Sequence, residues 1–150
     1  MRILIQECLR GKVTIDGVVH GNIQNGEVIF AGFGPGDDRK VVDKMVDKLF
    51  KLRIFKDAEG KTNLNLDQVG GNILCISQFT LYADVRKGNR PSFVNAMKGE
   101  ESNLLYEYLK EKLLERIPGA QFGVFGADMK VELVNDGPFT ILLDSKELFE

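Results

Sequence analysis

Two dipeptides, Asp16-Gly17 and Asn25-Gly26, lie within ten residues of each other near the start of the chain. Each pair readily takes the left-handed backbone conformations of a two-residue hairpin turn. The residues around them suit strands. Arg2 to Leu9 is largely apolar, Val13-Thr14-Ile15 leads into the first dipeptide, Val18-Val19 resumes beyond it, and Glu27 to Phe33 follows the second. Turns this close leave no room for the long crossover that a parallel pair requires, so the spacing predicts an antiparallel meander.

Helical periodicity occurs twice. Asp37 or Asp38 is placed to cap a helix whose apolar stripe is Val41, Val42, Met45, Val46, Leu49 and Phe50, with charges of both signs on the other side. A second helix is predicted from about Glu101 to Ile117. Leu104, Leu105, Tyr108, Leu109, Leu113 and Ile117 form its expected buried stripe, and Pro118-Gly119 stops it. Between the helices, Ile73-Leu74-Cys75-Ile76 is an unbroken apolar run, as expected of a central strand covered on both faces. The tail predicts strands over Gln121 to Phe125, Lys130 to Asn135 and Phe139 to Leu143, with Asp136-Gly137-Pro138 between the last two. No repeat or linker divides the 150 residues. The expectation is one domain, residues 1–150, of the α+β class, with a mainly antiparallel, barrel-like sheet and two main helices.

Charge excludes some functions. With 20 basic and 22 acidic side chains the net charge is −2, which argues against coating nucleic acid or an anionic membrane through bulk charge but permits a local basic patch. No apolar run is long enough for a membrane span. Met1 to Ile5 soon meets Gln6 and Glu7, which is no secretory signal. Cys8 and Cys75 lie far apart in apolar stretches and read as buried free thiols of a cytoplasmic protein. One histidine, His20 in a turn-like run, and two isolated cysteines supply no usual zinc set, so neither metal nor cofactor is expected. A serine hydrolase would have to use His20, and no G-x-S-x-G elbow exists for it to serve. Gly32-Phe33-Gly34-Pro35-Gly36 fits no phosphate-loop pattern and reads as a strand-to-helix turn.

Three segments could carry chemistry. Ser77-Gln78-Phe79-Thr80-Leu81 puts three hydrogen-bonding side chains at the end of the most buried strand, where they need either a ligand or local backbone as partners. Arg86-Lys87-Gly88-Asn89-Arg90-Pro91 is the densest basic stretch in a loop-like setting, either a landing place for phosphate or a solvated loop. In Asn135-Asp136-Gly137-Pro138-Phe139-Thr140, an X-Pro bond in a tight turn is a plausible place for a cis peptide. Glycine before the proline lets two carbonyls approach a ligand closely. An ordinary hairpin turn is the alternative.

Together, Ser77–Leu81 and Asn135–Thr140 resemble the paired motifs of the D-aminoacyl-tRNA deacylase family. The likeness extends to the Gln6 strand, the Arg86–Phe93 run and Phe125-Gly126-Ala127-Asp128-Met129. It implies a homodimer with active sites at the interface, hydrolysing the ester between a D-amino acid and the 3′ end of tRNA, with no cofactor. Gly137-Pro138 would be a Gly-cis-Pro element lent by one subunit to the other, rejecting L residues by exclusion. Glycine has no side chain to exclude, so glycyl-tRNA, including glycine mischarged onto tRNA(Ala), is a further expected substrate. Thr80 would be the proposed nucleophile. The preferred alternative is an oxyanion held by the amide near Phe79, with Gln78 and Thr80 shaping the pocket, Ser77 supporting it and the ribose 2′-hydroxyl assisting water. Phe125 and Met129 would line the adenosine pocket. Two residues depart from the family pattern. Glu7 replaces the usual Arg, so another cation or a different contact must hold the Gly-Pro element, and Phe139 replaces a more usual valine. A related family with a trans Gly-Pro turn and Pro-Gln-Ala-Thr in place of Ser-Gln-Phe-Thr acts on L-alanyl-tRNA. That activity, and a non-catalytic module binding tRNA ends, are the rival readings.

Overall fold

Strand β1 (Arg2–Ile15) runs unbroken for 14 residues and organises everything around it. The computed structural model describes all 150 residues. Asp16 and Gly17, with φ of 48° and 78°, reverse the chain into β2 (Val18–Ile23), as expected of such a pair. The second dipeptide does not reverse it. β3 (Gly26–Gly32) continues past β2 along β1 in the same register, with Ile23 opposite Gly11 and Gly26 opposite Cys8. The expected meander is therefore one long hairpin with a break at Gln24-Asn25. Glycine stands at 26 for close approach, since a Cβ there would lie 1.9 Å from the Asn72 carbonyl oxygen. His20 belongs to β2 as an exposed strand residue, not to a turn.

Helix α1 (Arg39–Lys51) is capped by Asp38, whose carboxylate accepts from the Val41 amide at 3.0 Å. Its buried side chains are Val42, Met45, Val46, Leu49 and Phe50, the expected stripe with Val41 at the margin. A small hairpin of β4 (Phe55–Lys56) and β5 (Thr62–Leu64) follows, then β6 (Asn72–Ser77). α1 lies in the crossover between β3 and β6, which pair in parallel. β7 (Gln121–Phe122) also pairs in parallel with β6. The sheet is therefore mainly antiparallel, as expected, with the two parallel pairings of β6 added to it. The apolar run at Ile73–Ile76 is the kind that parallel strands covered on both faces display.

Helix α2 (Gly99–Arg116) presents a stripe rotated from the expected one. Tyr106 is fully buried while Leu104 is 71% exposed. The Tyr106 hydroxyl lies 3.1 Å from the Cys75 carbonyl and 3.2 Å from that of Gly123, so a polar tip is satisfied where the apolar ring is sunk.

The tail differs most from expectation. β8 (Lys130–Asp144) is one strand of 15 residues, antiparallel to β1 from Thr14↔Lys130 to Arg2↔Asp144. Asp136-Gly137-Pro138 is thus a bulge, not a hairpin turn, because the chain continues in the same direction beyond it. Between the pairs Gln6↔Thr140 and Cys8↔Asn135, four residues of β8 stand opposite Glu7 alone. A short helix α3 (Ser145–Phe149) closes the chain.

Two cores result. The larger packs Ile3, Ile5 and Ile29 of the sheet against α1 and α2. The smaller, with Val13, Val28, Leu74 and Ile76, fills the opposite face. β7 returns so close to β2 that a Cβ on Gly21 would lie 3.2 Å from that of Gln121, nearly closing the sheet into a barrel. Cys8 and Cys75 are buried and free. No helix is long and apolar enough to cross a membrane.

Candidate active site

At the end of β6 the chain leaves the sheet in a 3-10 turn (Phe79–Tyr82). The Gln78 amide donates to the Ala31 carbonyl at 2.7 Å, anchoring the departure to β3. Gly32 makes that contact possible, because a Cβ there would stand 2.6 Å from the Gln78 carbonyl oxygen. The first backbone bond of the turn runs from the Leu81 amide to the Gln78 carbonyl. The amides of Phe79 and Thr80 come before it and have no acceptor within the turn. The Gln78 side-chain amide donates to the Thr80 hydroxyl.

A cavity of about 820 Å³ opens beside this segment. Ser77, Gln78 and Phe79 form one wall, and Phe125 and Met129 line it as well, so five predicted site residues meet in one place. Thr80 is exposed and is not among the lining residues; it reaches the site through Gln78. Phe93, Met97 and Ala127 line the cavity without having been singled out. Phe93 meets Phe79 edge-on with ring centroids 4.9 Å apart, and its signal lay in the Arg86–Phe93 run. Ala127 lay in the Phe125–Met129 run, and Met97 carried no signal. Lys98 is the one ionisable side chain on the lining, so no carboxylate, imidazole or thiol faces the cavity as a base. No cluster of His, Cys, Asp and Glu is arranged to hold a metal ion.

Gly137 and Pro138, joined by a cis peptide bond, are exposed and lie outside their own chain's cavity. The Asn135 side chain fastens the bulge across its base. Its Oδ1 accepts from the Phe139 amide at 2.8 Å, and its Nδ2 lies 2.9 Å from Thr140 Oγ1 and 3.2 Å from Gln6 Oε1. An amide thus holds the Gly-Pro element in a chain that has Glu7 in place of the cation. Burial, with Asp136 nearby, pushes the Glu7 carboxyl above its ordinary range. Behind it Glu27 is fully buried, and burial followed by the charge of Glu7 pushes its carboxyl up to about 8.

In the basic loop, Arg86 is committed to Asp84, with bonds of 2.9 and 2.6 Å from Nε and a terminal nitrogen. The pair holds the Asp84 carboxyl down at about 2. Lys87 and Arg90 are exposed.

The geometry has close counterparts. Residues 4–144 match the family model described as D-Tyr-tRNA(Tyr) deacylase. Two curated proteins named D-aminoacyl-tRNA deacylase, from two strains of Lactobacillus delbrueckii subsp. bulgaricus, are each 51% identical over 144 residues, covering 96% of this chain and 99% of theirs. A solved structure called c-Myc DNA Unwinding Element Binding Protein superposes with a TM-score of 0.91 at 37% identity, covering 96% of this chain and 98% of its own. One described as a probable eukaryotic D-amino acid tRNA deacylase shares the fold, with a TM-score of 0.81 at 17% identity over 95% of this chain and 97% of its own. With these relatives the chain is a hydrolase of charged tRNA, a member of the D-aminoacyl-tRNA deacylase family.

Proposed function

We propose that the chain clears D-amino acids from tRNA while sparing L-aminoacyl-tRNA, acting as a homodimer in which the Gly137-Pro138 bulge of one copy enters the cavity of the other. The observation that carries this reading is the separation of the two motifs: the bulge is exposed, clamped by Asn135 and outside its own cavity. Backbone carbonyls of the bulge would hold the substrate's α-amino group and leave no space for an L side chain. Selection would then ignore side-chain identity and admit glycine. Ser77 and Phe79 favour this D-specific reading over the related activity on L-alanyl-tRNA. Phe125 and Met129 would receive the terminal adenosine, and the reaction would place the protein with charged tRNA in the cytoplasm.

The ester carbonyl would accept from the free amide of Phe79, and water would attack with help from the ribose 2′-hydroxyl. A cavity whose lining offers no carboxylate, imidazole or thiol favours this route. Thr80 is a poor nucleophile here, since its hydroxyl receives a proton donor, the Gln78 amide, and not a group that could take its proton. One oxyanion donor is worth about 3 kcal/mol of barrier, so main-chain geometry can supply much of the rate.

The deciding experiment compares release from D-tyrosyl-tRNA and L-tyrosyl-tRNA by purified protein, with L-alanyl-tRNA alongside. Rapid release of the D ester alone is the expected result. Preferential hydrolysis of L-alanyl-tRNA would support the rival deacylase, and binding without turnover a non-catalytic module. On the same substrate Thr80→Ala should keep substantial activity, while a terminal 2′-deoxyadenosine should abolish most of it. The reverse pattern would restore the covalent route.

A further inference from the structure

Glu7 and Glu27 face each other directly across the β1–β3 pair, so their side chains leave the sheet on the same side. That side is the larger core, where Ile5 and Ile29 are their neighbours along the strands. Glu27 is fully buried and neither of its oxygens has a hydrogen-bond partner, while Glu7 is largely but not completely buried. A carboxylate with no donor in such a place is very costly; a carboxylic acid is not, because it brings its own donor. The only acceptor of matching chemistry directly across the strand pair is the other carboxyl.

The charged and titratable groups around the pair are few. Asp136 of the bulge adds a second negative charge near Glu7, and Lys56 of β4 is the cation that partly offsets it. Cys8, next to Glu7 in the chain, has its thiol pushed up to about 11 by burial and then by the charge of Glu27. On the β6 side Glu27 meets Ile73, which offers no charge. Glu7 also occupies the one β1 position that the four bulged residues of β8 span, so a movement of Glu7 reaches the Gly-Pro element through the strand itself.

We propose that Glu7 and Glu27 share one proton as a carboxyl–carboxylate pair, with Glu27 as the acid, and that Glu7 so held is a positioning residue for the Gly137-Pro138 bulge. The proposal rests on the reading of that bulge as the selective element. Removing the proton puts two like charges across one strand pair, with Asp136 as a third, beneath the segment that must keep its shape. The active arrangement then belongs to the protonated pair.

The test has two arms on the full-length protein. The first follows the glutamate side-chain carboxyl carbons by NMR through a pH titration of wild type and Glu7→Gln. One wild-type resonance, lost in Glu27→Gln, should titrate near 8, and the Glu7→Gln change should move it downward. Titration of that resonance in the ordinary carboxylate range overturns the shared proton, whatever the enzyme's activity. The second arm measures kcat/KM on D-tyrosyl-tRNA, corrected for spontaneous hydrolysis, as the ratio of wild type to Glu27→Gln. A one-proton loss predicts that this ratio falls about tenfold from pH 6.5 to pH 9. A flat ratio with the NMR shift intact overturns the positioning role alone. A wild type that releases no D-tyrosine at any pH overturns the functional reading and the positioning role together, and leaves the first arm to judge the proton.

Discussion

The two edges of β1 behave differently. Along β3 the pairing runs from Arg2↔Gly32 to Cys8↔Gly26 without a shift. Along β8 it slips between Gln6 and Cys8 and again between Cys8 and Arg10. The regular edge keeps a β3 partner opposite every residue from Arg2 to Cys8 and sits over fully buried Ile3, Ile5 and Ile29. The broken edge releases the backbone of four residues and exposes Gly137 and Pro138. With the bulge selecting the substrate as proposed, stability and recognition occupy opposite edges of one strand, and the residues that join them, Glu7 and Gln6, are where the two demands meet.

The sharpest way to break this division is to damage the regular edge. Ile29→Ala empties a fully buried site and should cost about 2–5 kcal/mol in denaturant unfolding. Deacylation per folded molecule should be essentially retained. Equal loss of activity in the folded fraction would mean that the two edges are not separable.

A second effect, of a few kcal/mol, lies in the pH dependence of stability. Glu27 holds its proton more tightly folded, at about 8, than its ordinary value of 4.5. Between those values the folded state binds more protons than the unfolded one, so stability should fall as pH rises from about 4.5 through about 8. Glu27→Gln should flatten that decline in urea unfolding followed from pH 5 to 9. A slope unchanged by the substitution would assign the decline to other groups.

Much of this division was hidden in the sequence for physical reasons. The α1 stripe and its Asp38 cap were legible because helix spacing and capping are local. The 77–79 wall was legible because polar side chains ending an apolar run demand partners. The continuity of β8 was not, since proline lacks the ladder donor and reads as the end of a strand, while a bulge tolerates it. Asn25-Gly26 misled because the same dipeptide serves a reversal or a close contact, and only the Asn72 backbone distinguishes them. Tyr106 was passed over for Leu104 because a hydroxyl looks exposed until two carbonyls are found to meet it. Glu27 was read only as the first residue of a strand, and nothing local marks a carboxyl for burial. Thr80 and Gly137-Pro138 were assigned through resemblance, and a single chain does not bring the two together.

On the broken edge the expected balance reverses. Asn135→Ala removes the acceptor of the Phe139 amide and the contacts to Thr140 and Gln6. The site is only half-buried, so water replaces part of what is lost and the cost to stability should be about 1–2 kcal/mol. Activity should suffer more than stability, by about tenfold or more in kcat/KM on D-tyrosyl-tRNA, because a displaced bulge misplaces the bound ester. Discrimination against L-tyrosyl-tRNA should weaken with it. A variant as active and selective as wild type would remove the clamp from the site.

The smallest effect belongs to Gln6, whose side-chain oxygen lies 3.2 Å from Asn135 Nδ2. Gln6→Ala takes one partner from a group that keeps its contact with Thr140, in a half-buried place, so about 0.5 kcal/mol of stability is expected. Its influence on the bulge passes entirely through Asn135. In the double variant Gln6→Ala/Asn135→Ala the loss of kcat/KM should therefore match that of Asn135→Ala alone. Additive losses would show that Gln6 reaches the substrate by itself, from the face of β1 opposite to Glu7, and the division between the edges would then run through a single peptide of that strand.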